Sequence, residues 1–255
     1  MIDDRFIKAS VNFPIEVVTY AVTDSTNLRA KEYAAECMGD SPVLFIAREQ
    51  SAGRGRLGRQ FLSRADSGIY MSLLYFTSRA LADAISVTTA AAVFVAEAVE
   101  KVTNKPMKIK WVNDIYSDDG KVCGILTESL KIGDQNAIIV GIGINAGDID
   151  FPEALKGIAA SVGNIEGREN ELISHIVNGL LKQAKEPKDR AYMNGYRQRF
   201  MLEGEQVTLY KGGEIAGEGK VLGVTDDGGL VFNRDGEHET EIIHSGEVTV
   251  RKVNS

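Results

Sequence analysis

The chain has 255 residues, 44% of them hydrophobic and 25% charged, the proportions of an ordinary globular protein and not of a disordered or fibrous one. Lys and Arg total 29 against 36 Asp and Glu, a net charge of −7, which argues against a general attraction to nucleic acid or an anionic membrane. Two cysteines, Cys37 and Cys123, are too few for a disulfide framework and lack metal-ligand spacing, so both are expected to be small core residues of a reduced, cytoplasmic protein.

Met1-Ile2-Asp3-Asp4-Arg5 carries no basic-then-apolar leader pattern. The longest apolar stretch, Ala90 to Ala96, falls far below the ~20 residues of a membrane span. Ile15 to Val22 is rich in β-branched and aromatic residues and predicts a strand; Asp24-Ser25 then caps a helix expected to run to about Met38 before Gly39. Val43 to Arg48 and Ile69 to Phe76 predict two more strands, with a Gly/Arg-rich loop from Gln50 to Gln60 between them. A long apolar helix from about Ala80 to Lys101 precedes strands at Met107–Trp111, Val122–Ser129 and Ala137–Ile144, the first two expected to join through a turn at Asp118-Asp119-Gly120. Leu172, Ile173, Ile176, Val177, Leu180 and Leu181 recur at helical spacing and predict a helix from Asn170 to Lys185, with a second from Lys188 to Met201, both covering one face of the sheet. After Leu202 short β-rich runs (Gln206–Tyr210, Gly219–Val224, Leu230–Phe232) alternate with glycine turns, which suggests a small β-barrel after an α/β main domain.

Four segments stand out chemically. Gly53-x-Gly55-x-x-Gly58 has the spacing of a dinucleotide fingerprint, but the residues after Gly58 show no amphipathic helix, so the context that motif needs is missing. Arg54, Arg56 and Arg59 point instead to an anion, since guanidinium forks match phosphate or carboxylate oxygens and the glycines let the backbone come close. Such a loop is expected to be mobile alone and ordered by its ligand; the plain alternative is a solvated surface loop. Lys110-Trp111-Val112-Asn113-Asp114 ends a strand, where Asn113 and Asp114 either satisfy turn backbone or, with Lys110, face a nucleotide and its Mg²⁺. Lys121 is either a solvated turn residue or a point charge for a carboxylate or α-phosphate. Gly141 and Gly143 either admit a purine ring or mark a bulge. His175, His238 and His244 sit beside no plausible nucleophile, which excludes Ser/His/Asp chemistry.

Taken in order, Ser25-Thr26-Asn27, Gly53-Arg54-Gly55-Arg56-Leu57-Gly58-Arg59, Lys110-Trp111-Val112-Asn113-Asp114, Gly120-Lys121-Val122-Cys123-Gly124-Ile125-Leu126 and Gly143-Ile144-Asn145 closely resemble the signature pieces of the biotin–protein ligases. The resemblance extends over nearly the whole chain. It implies an α+β fold: a mixed sheet with helices over residues 1–202, akin to class II aminoacyl-tRNA synthetases, and an SH3-like β-barrel over 203–255. The few residues before Ile15 suggest the short form that lacks an N-terminal DNA-binding domain.

The resemblance further implies an enzyme that adenylates biotin with ATP and Mg²⁺ and passes it to a lysine of a biotin carboxyl carrier protein, with no nucleic-acid or membrane partner. The family's dimerisation through its catalytic sheet makes a homodimer an expectation. Carried over residue by residue, Ser25, Thr26, Asn27, Gln50, Gly53, Arg54, Gly55, Arg56, Lys121 and Gly124 are expected to bind biotin. Arg56, Arg59, Trp111, Asn113, Lys121 and Asn145 are expected at the nucleotide, Asp114 at the metal, and Lys121, Arg54 and Arg56 as the catalytic cations. Val112 stands where the family usually has proline, which is expected to loosen the turn at Asn113. Phe61 replaces a common tryptophan, keeping a ring but losing a donor. The rivals are a lipoate–protein ligase, similar in fold and adenylation, and a non-catalytic nucleotide-binding module.

Overall fold

The computed structural model describes residues 2–36, 41–78, 84–211, 213–244 and 248–252. In chain order these form α1 (Asp4–Ser10), β1 (Glu16–Thr23), α2 (Thr26–Glu36), β2 (Val43–Gln50), β3 (Gly68–Thr77), α3 (Ala84–Thr103), β4 (Lys108–Lys110), β5 (Asp114–Ser117), β6 (Gly120–Ile132), β7 (Gln135–Asn145), α4 (Glu169–Lys185) and α5 (Tyr192–Arg199). Then follow β8 (Gln206–Lys211), β9 (Glu214–Val224), β10 (Leu230–Arg234), β11 (Thr240–Ile243) and β12 (Val248–Lys252). The first seven strands make one sheet in the order β1-β2-β3-β7-β6-β5-β4. Only β1 and β2 run parallel, and every other pair is antiparallel. The sheet is therefore mixed and the fold α+β.

Side chains alternate between the two faces, and β2 is buried on both. Val43 and Phe45 meet Ala30 and Ala34 of α2 together with Leu74, Ala137 and Ile139. Leu44 and Ile46 join the larger cluster under α3 and α4. The apolar stripe of α4, from Leu172 to Leu181, is buried as its spacing predicts.

Several boundaries differ from those expected. The turn at Asp118-Asp119-Gly120 joins β6 not to the Met107–Trp111 strand but to β5, a four-residue strand hidden by turn-forming residues: Asp114 pairs with Lys110 on one side and Gly124 on the other. Trp111 lies beyond the end of β4. The expected ends of two helices, at Met38-Gly39 and Ala80, lie outside the described residues, as does Cys37. Cys123 is fully buried, and burial pushes its thiol well above the ordinary range, so it is an inert core residue. α1 was not anticipated; Asp3 caps it by accepting the N–H groups of Arg5 and Phe6.

The last five strands form an antiparallel sheet in the order β11-β10-β9-β8-β12. Its buried face does not make a separate core: Val207, Leu209, Val221, Leu230 and Phe232 belong to the same apolar cluster as Trp111, Tyr192 and Tyr196. The turn between β9 and β10 reaches across to the larger sheet. Trp111 Nε1 donates to the carbonyl of Gly228 at 2.9 Å, and Arg197 pairs with Asp226. Among the described residues no helix is long and apolar enough to cross a membrane.

Candidate functional site

The face of the large sheet that carries α2 is only partly covered by it. Gly124 of β6 and Gly141 and Gly143 of β7 lie on that face and lower the floor into a cavity of about 600 Å³, while Ser72 of β3, on the same face, is buried behind Thr26 and Asn27. The two glycines of β7 neither mark a bulge nor open onto a ring-sized gap of their own. A Cβ on Gly141 would stand 2.1 Å from Asn27 Oδ1, and one on Gly143 2.5 Å from the Phe61 ring. They make room for side chains of this chain.

One end of the cavity is polar and uncharged. Ser25 and Thr26 open α2 and are buried with Asn27. Gln50 Oε1 accepts from Thr26 N at 2.8 Å and from Thr26 Oγ1 at 3.1 Å, while Gln50 Nε2 donates to Ser63 at 2.9 Å. Ser72 Oγ stands 2.7 Å from Thr26 Oγ1 and 2.5 Å from Asn27 Oδ1.

The other end is cationic: Arg54, Arg56, Arg59, Lys110 and Lys121 line it against the carboxylate of Asp114. Lys121 Nζ pairs with Asp114 Oδ1 at 2.8 Å. Arg56 donates to Asn113 Oδ1 at 2.7 Å, and Asn113 Nδ2 donates to the carbonyl of Ile125 at 2.9 Å. Burial pulls the Arg56 guanidinium below its ordinary value while Asp114 pushes the other way. Burial, aided by Asp114, pushes Tyr116 up to about 12, so its hydroxyl stays protonated at neutral pH.

The arginine loop carries hydrogen bonds of its own. Gly55 N donates to Arg59 O at 2.7 Å, Phe61 N donates to Gly53 O at 3.0 Å, and Arg56–Gly58 makes a 3-10 turn. Val112 is buried, and its carbonyl accepts from the Tyr196 hydroxyl at 3.3 Å. Phe61 lines the cavity and meets Tyr70 edge-on at 6.4 Å.

Every singled-out site residue except Gly53 lines this one cavity. A Cβ on Gly53 would stand 2.4 Å from the Phe61 carbonyl and 2.5 Å from Ser63 Oγ, so Gly53 lets the two limbs of the loop touch and contacts no ligand space. Trp111 and Asn145 line the cavity with their side-chain nitrogens already committed: Trp111 Nε1 to the carbonyl of Gly228, Asn145 Nδ2 to the carbonyl of Ala160 at 3.1 Å. Sequence reasoning missed Ser72, whose signal is a hydroxyl in the otherwise apolar run of β3, and the wall formed by Phe151, Leu155 and Ile158, which carries no motif. That wall is tied to β6 through Lys121 N donating to Ile158 O at 2.9 Å. Among the described residues no three His, Cys, Asp or Glu side chains cluster to hold a metal ion. Asp114 fits a hard cation that takes one protein carboxylate and draws its other oxygens from phosphate and water.

Residues 19–145 match the model of the Biotin/lipoate A/B protein ligase family, and residues 204–251 that of the Biotin protein ligase C terminal domain. The Bifunctional ligase/repressor BirA of Bacillus subtilis is 32% identical over 226 residues, which is 85% of this chain and 69% of that protein. The Biotin--[acetyl-CoA-carboxylase] ligase of Paracoccus denitrificans is 36% identical over 155 residues, 60% of this chain and 64% of its own length. The biotin protein ligase of Aquifex aeolicus, solved in complex with biotin and ATP, superposes with a TM-score of 0.77 at 28% identity, covering 93% of this chain and 99% of that one.

Proposed function

The chain belongs to the biotin protein ligases of the biotin/lipoate family, and from that premise we propose that the cavity described above runs both halves of a biotinylation. In the first half the biotin carboxylate oxygen attacks the α-phosphorus of ATP; the bond to pyrophosphate breaks and biotinyl-5′-AMP forms. In the second half a lysine amine of a biotin carboxyl carrier protein attacks the acyl carbon, the bond to AMP breaks, and the amine sheds a proton. Neither half needs a nucleophile from the enzyme, in keeping with an inert Cys123 and histidines remote from any nucleophile.

The observation that carries this reading is the polarity of the cavity, neutral at one end and cationic at the other. Ser25, Thr26, Asn27 and Gln50 offer neutral partners to a cyclic urea, with the backbone at Gly124 as a further wall. Lys121, Arg54 and Arg56 hold the carboxylate and offset the charge that develops on the α-phosphate, while Arg56, Arg59, Trp111, Asn113 and Asn145 bound the adenylate space, with Gly55 allowing the loop to approach. Asp114 would hold Mg²⁺, which neutralises phosphate charge when bound with ATP. About 600 Å³ suits a biotinyl-adenylate-sized ligand. Nothing in the cavity favours lipoate or a purely binding role, and the similar proteins above are biotin ligases.

The reading includes a division of labour, with residues 1–202 as the catalytic unit and 203–255 as an SH3-like barrel, together with a cytoplasmic location and a homodimer paired through the large sheet. The test is pyrophosphate exchange into ATP by the purified protein. Exchange should require both biotin and Mg²⁺; equal exchange with lipoate would overturn the substrate, and none with either acid would overturn the reaction.

A further inference from the structure

Resting on the reading of the neutral end as the seat of the biotin ring, we propose that Glu128 is a positioning residue that presets the hydrogen-bond polarity of that seat through the amide of Asn27. Glu128 lies on β6 behind Asn27 and does not line the cavity. One carboxylate oxygen takes the Lys31 ammonium at 2.6 Å and the other takes Asn27 Nδ2 at 2.9 Å. The side chains of both Lys31 and Glu128 are about three-quarters buried, at 24% and 26% exposure.

An ionised carboxylate only accepts. With the more distant Leu126 carbonyl, 3.4 Å from Asn27 Nδ2, it therefore sets which end of the Asn27 amide faces it: the NH₂ turns to Glu128 and the carbonyl to Ser72, 2.5 Å from Ser72 Oγ. Ser72 has a single proton, and Asn27 Oδ1 cannot supply one, so that proton lies between them. The Thr26 hydroxyl, 2.7 Å from Ser72 Oγ and 3.1 Å from Gln50 Oε1, then has an acceptor on both sides and shares its single proton between them. Its own lone pairs are left for the cavity, where a cyclic urea brings N–H donors. The chain of consequence runs Glu128, Asn27, Ser72, Thr26, with each step fixed by donor and acceptor count.

Gly141 belongs to the same device, since a Cβ there would stand 2.1 Å from Asn27 Oδ1 and displace the amide from its place. A neutral amide at 128 would satisfy Asn27 from either side and leave only the long bond to the Leu126 carbonyl to hold the choice, so that donors oppose donors in part of the population.

The experiment measures biotin affinity by calorimetric titration, and KM for ATP and biotin by pyrophosphate exchange, on wild type, E128Q and K31M, with melting followed in parallel. E128Q should weaken biotin binding about tenfold or more, the scale of a mispaired buried hydrogen bond, with KM for ATP and kcat at saturating biotin little changed. K31M removes the ion pair and leaves the carboxylate, so its affinity should stay within about threefold of wild type. E128Q with wild-type affinity, E128Q that impairs biotin and ATP use alike, or K31M as damaging as E128Q would each overturn the proposal. Wild type that binds no biotin would overturn the functional reading beneath it.

Discussion

Replacing Lys121 with alanine removes one cation from a cavity end built of cations, and the structure sets bounds on the cost. A charge about 4 Å from a developing phosphate charge, at an effective dielectric near 20, is worth about 4 kcal/mol, or about a thousandfold in rate. In the resting site the ammonium is already paired with Asp114 at 2.8 Å, so part of that attraction is spent before substrate arrives. The expected loss in adenylation is thus about a hundredfold, the lower end of what one preorganised group supplies. Stability moves much less. The pair is partly solvated, with side-chain exposures of 29% and 24%, so its loss costs about 1 kcal/mol, or a fall in Tm of about 2–4 °C. Pyrophosphate exchange at saturating substrates, with calorimetric melting on the same samples, reads both quantities. Exchange within about tenfold of wild type would show that Lys121 is not at the reacting phosphate, and a rate loss with a collapse of Tm would show that its role is structural.

Arg56→Gly removes the donor to Asn113 and adds flexibility to the loop, so biotinyl-AMP should dissociate faster and label lysines of a bystander protein; unchanged dissociation with no labelling refutes the retention role. Burial pushes the Glu100 carboxyl up, but the two-point contact with Arg199 and the Met107 N–H outweigh it and hold Glu100 below its ordinary range. Its contribution is present above the unfolded carboxylate range and is lost as pH falls through the folded value. Glu100→Gln should therefore cost about 1–3 kcal/mol at neutral pH, with the gap in denaturant midpoint closing below about pH 4; a gap that persists in acid counts against the ion pair. Deleting the chain from Glu203 leaves the Trp111 N–H without its acceptor and uncovers the apolar cluster shared with Phe232, so exchange should fall and the melt should shift down and broaden. A truncated protein with full exchange would make the C-terminal sheet dispensable.

What the sequence discloses and what it conceals follow the range of the contacts involved. Spacing alone exposes the Arg54–Arg56–Arg59 loop and the α4 stripe, because both are local patterns. The partner of Arg56 lies 57 residues away at Asn113 and the occupant of the Gly141 hollow 114 residues away at Asn27, distances at which a single sequence carries no pairing signal. β5 is hidden because Asn113 and Asp114 have turn chemistry, and a four-residue strand gives a two-residue period little room to show. β11 begins among the charged residues Glu237, Glu239 and Glu241, the last of them inside the strand, and both β11 and β12 are too short to show a clear apolar period. Ser72 is legible only in hindsight: a buried hydroxyl in an apolar strand demands a partner, but the sequence does not say which.

The tryptophan just past the end of β4 hands its indole proton to a turn more than a hundred residues later. That hand-off makes the two sheets a single thermodynamic unit near the pocket, because separating them would strand a buried donor and strip apolar cover in one event. Thermal or chemical unfolding of the intact chain should then leave no long-lived species with one sheet melted and the other whole. The turn from Asp226 to Gly229 is also subject to constraints set outside its own sheet: its sequence must suit the indole it receives and the arginine of α5 beside it. A graft of this C-terminal sheet onto a relative would succeed or fail on that seam before any property of the strands themselves came into play.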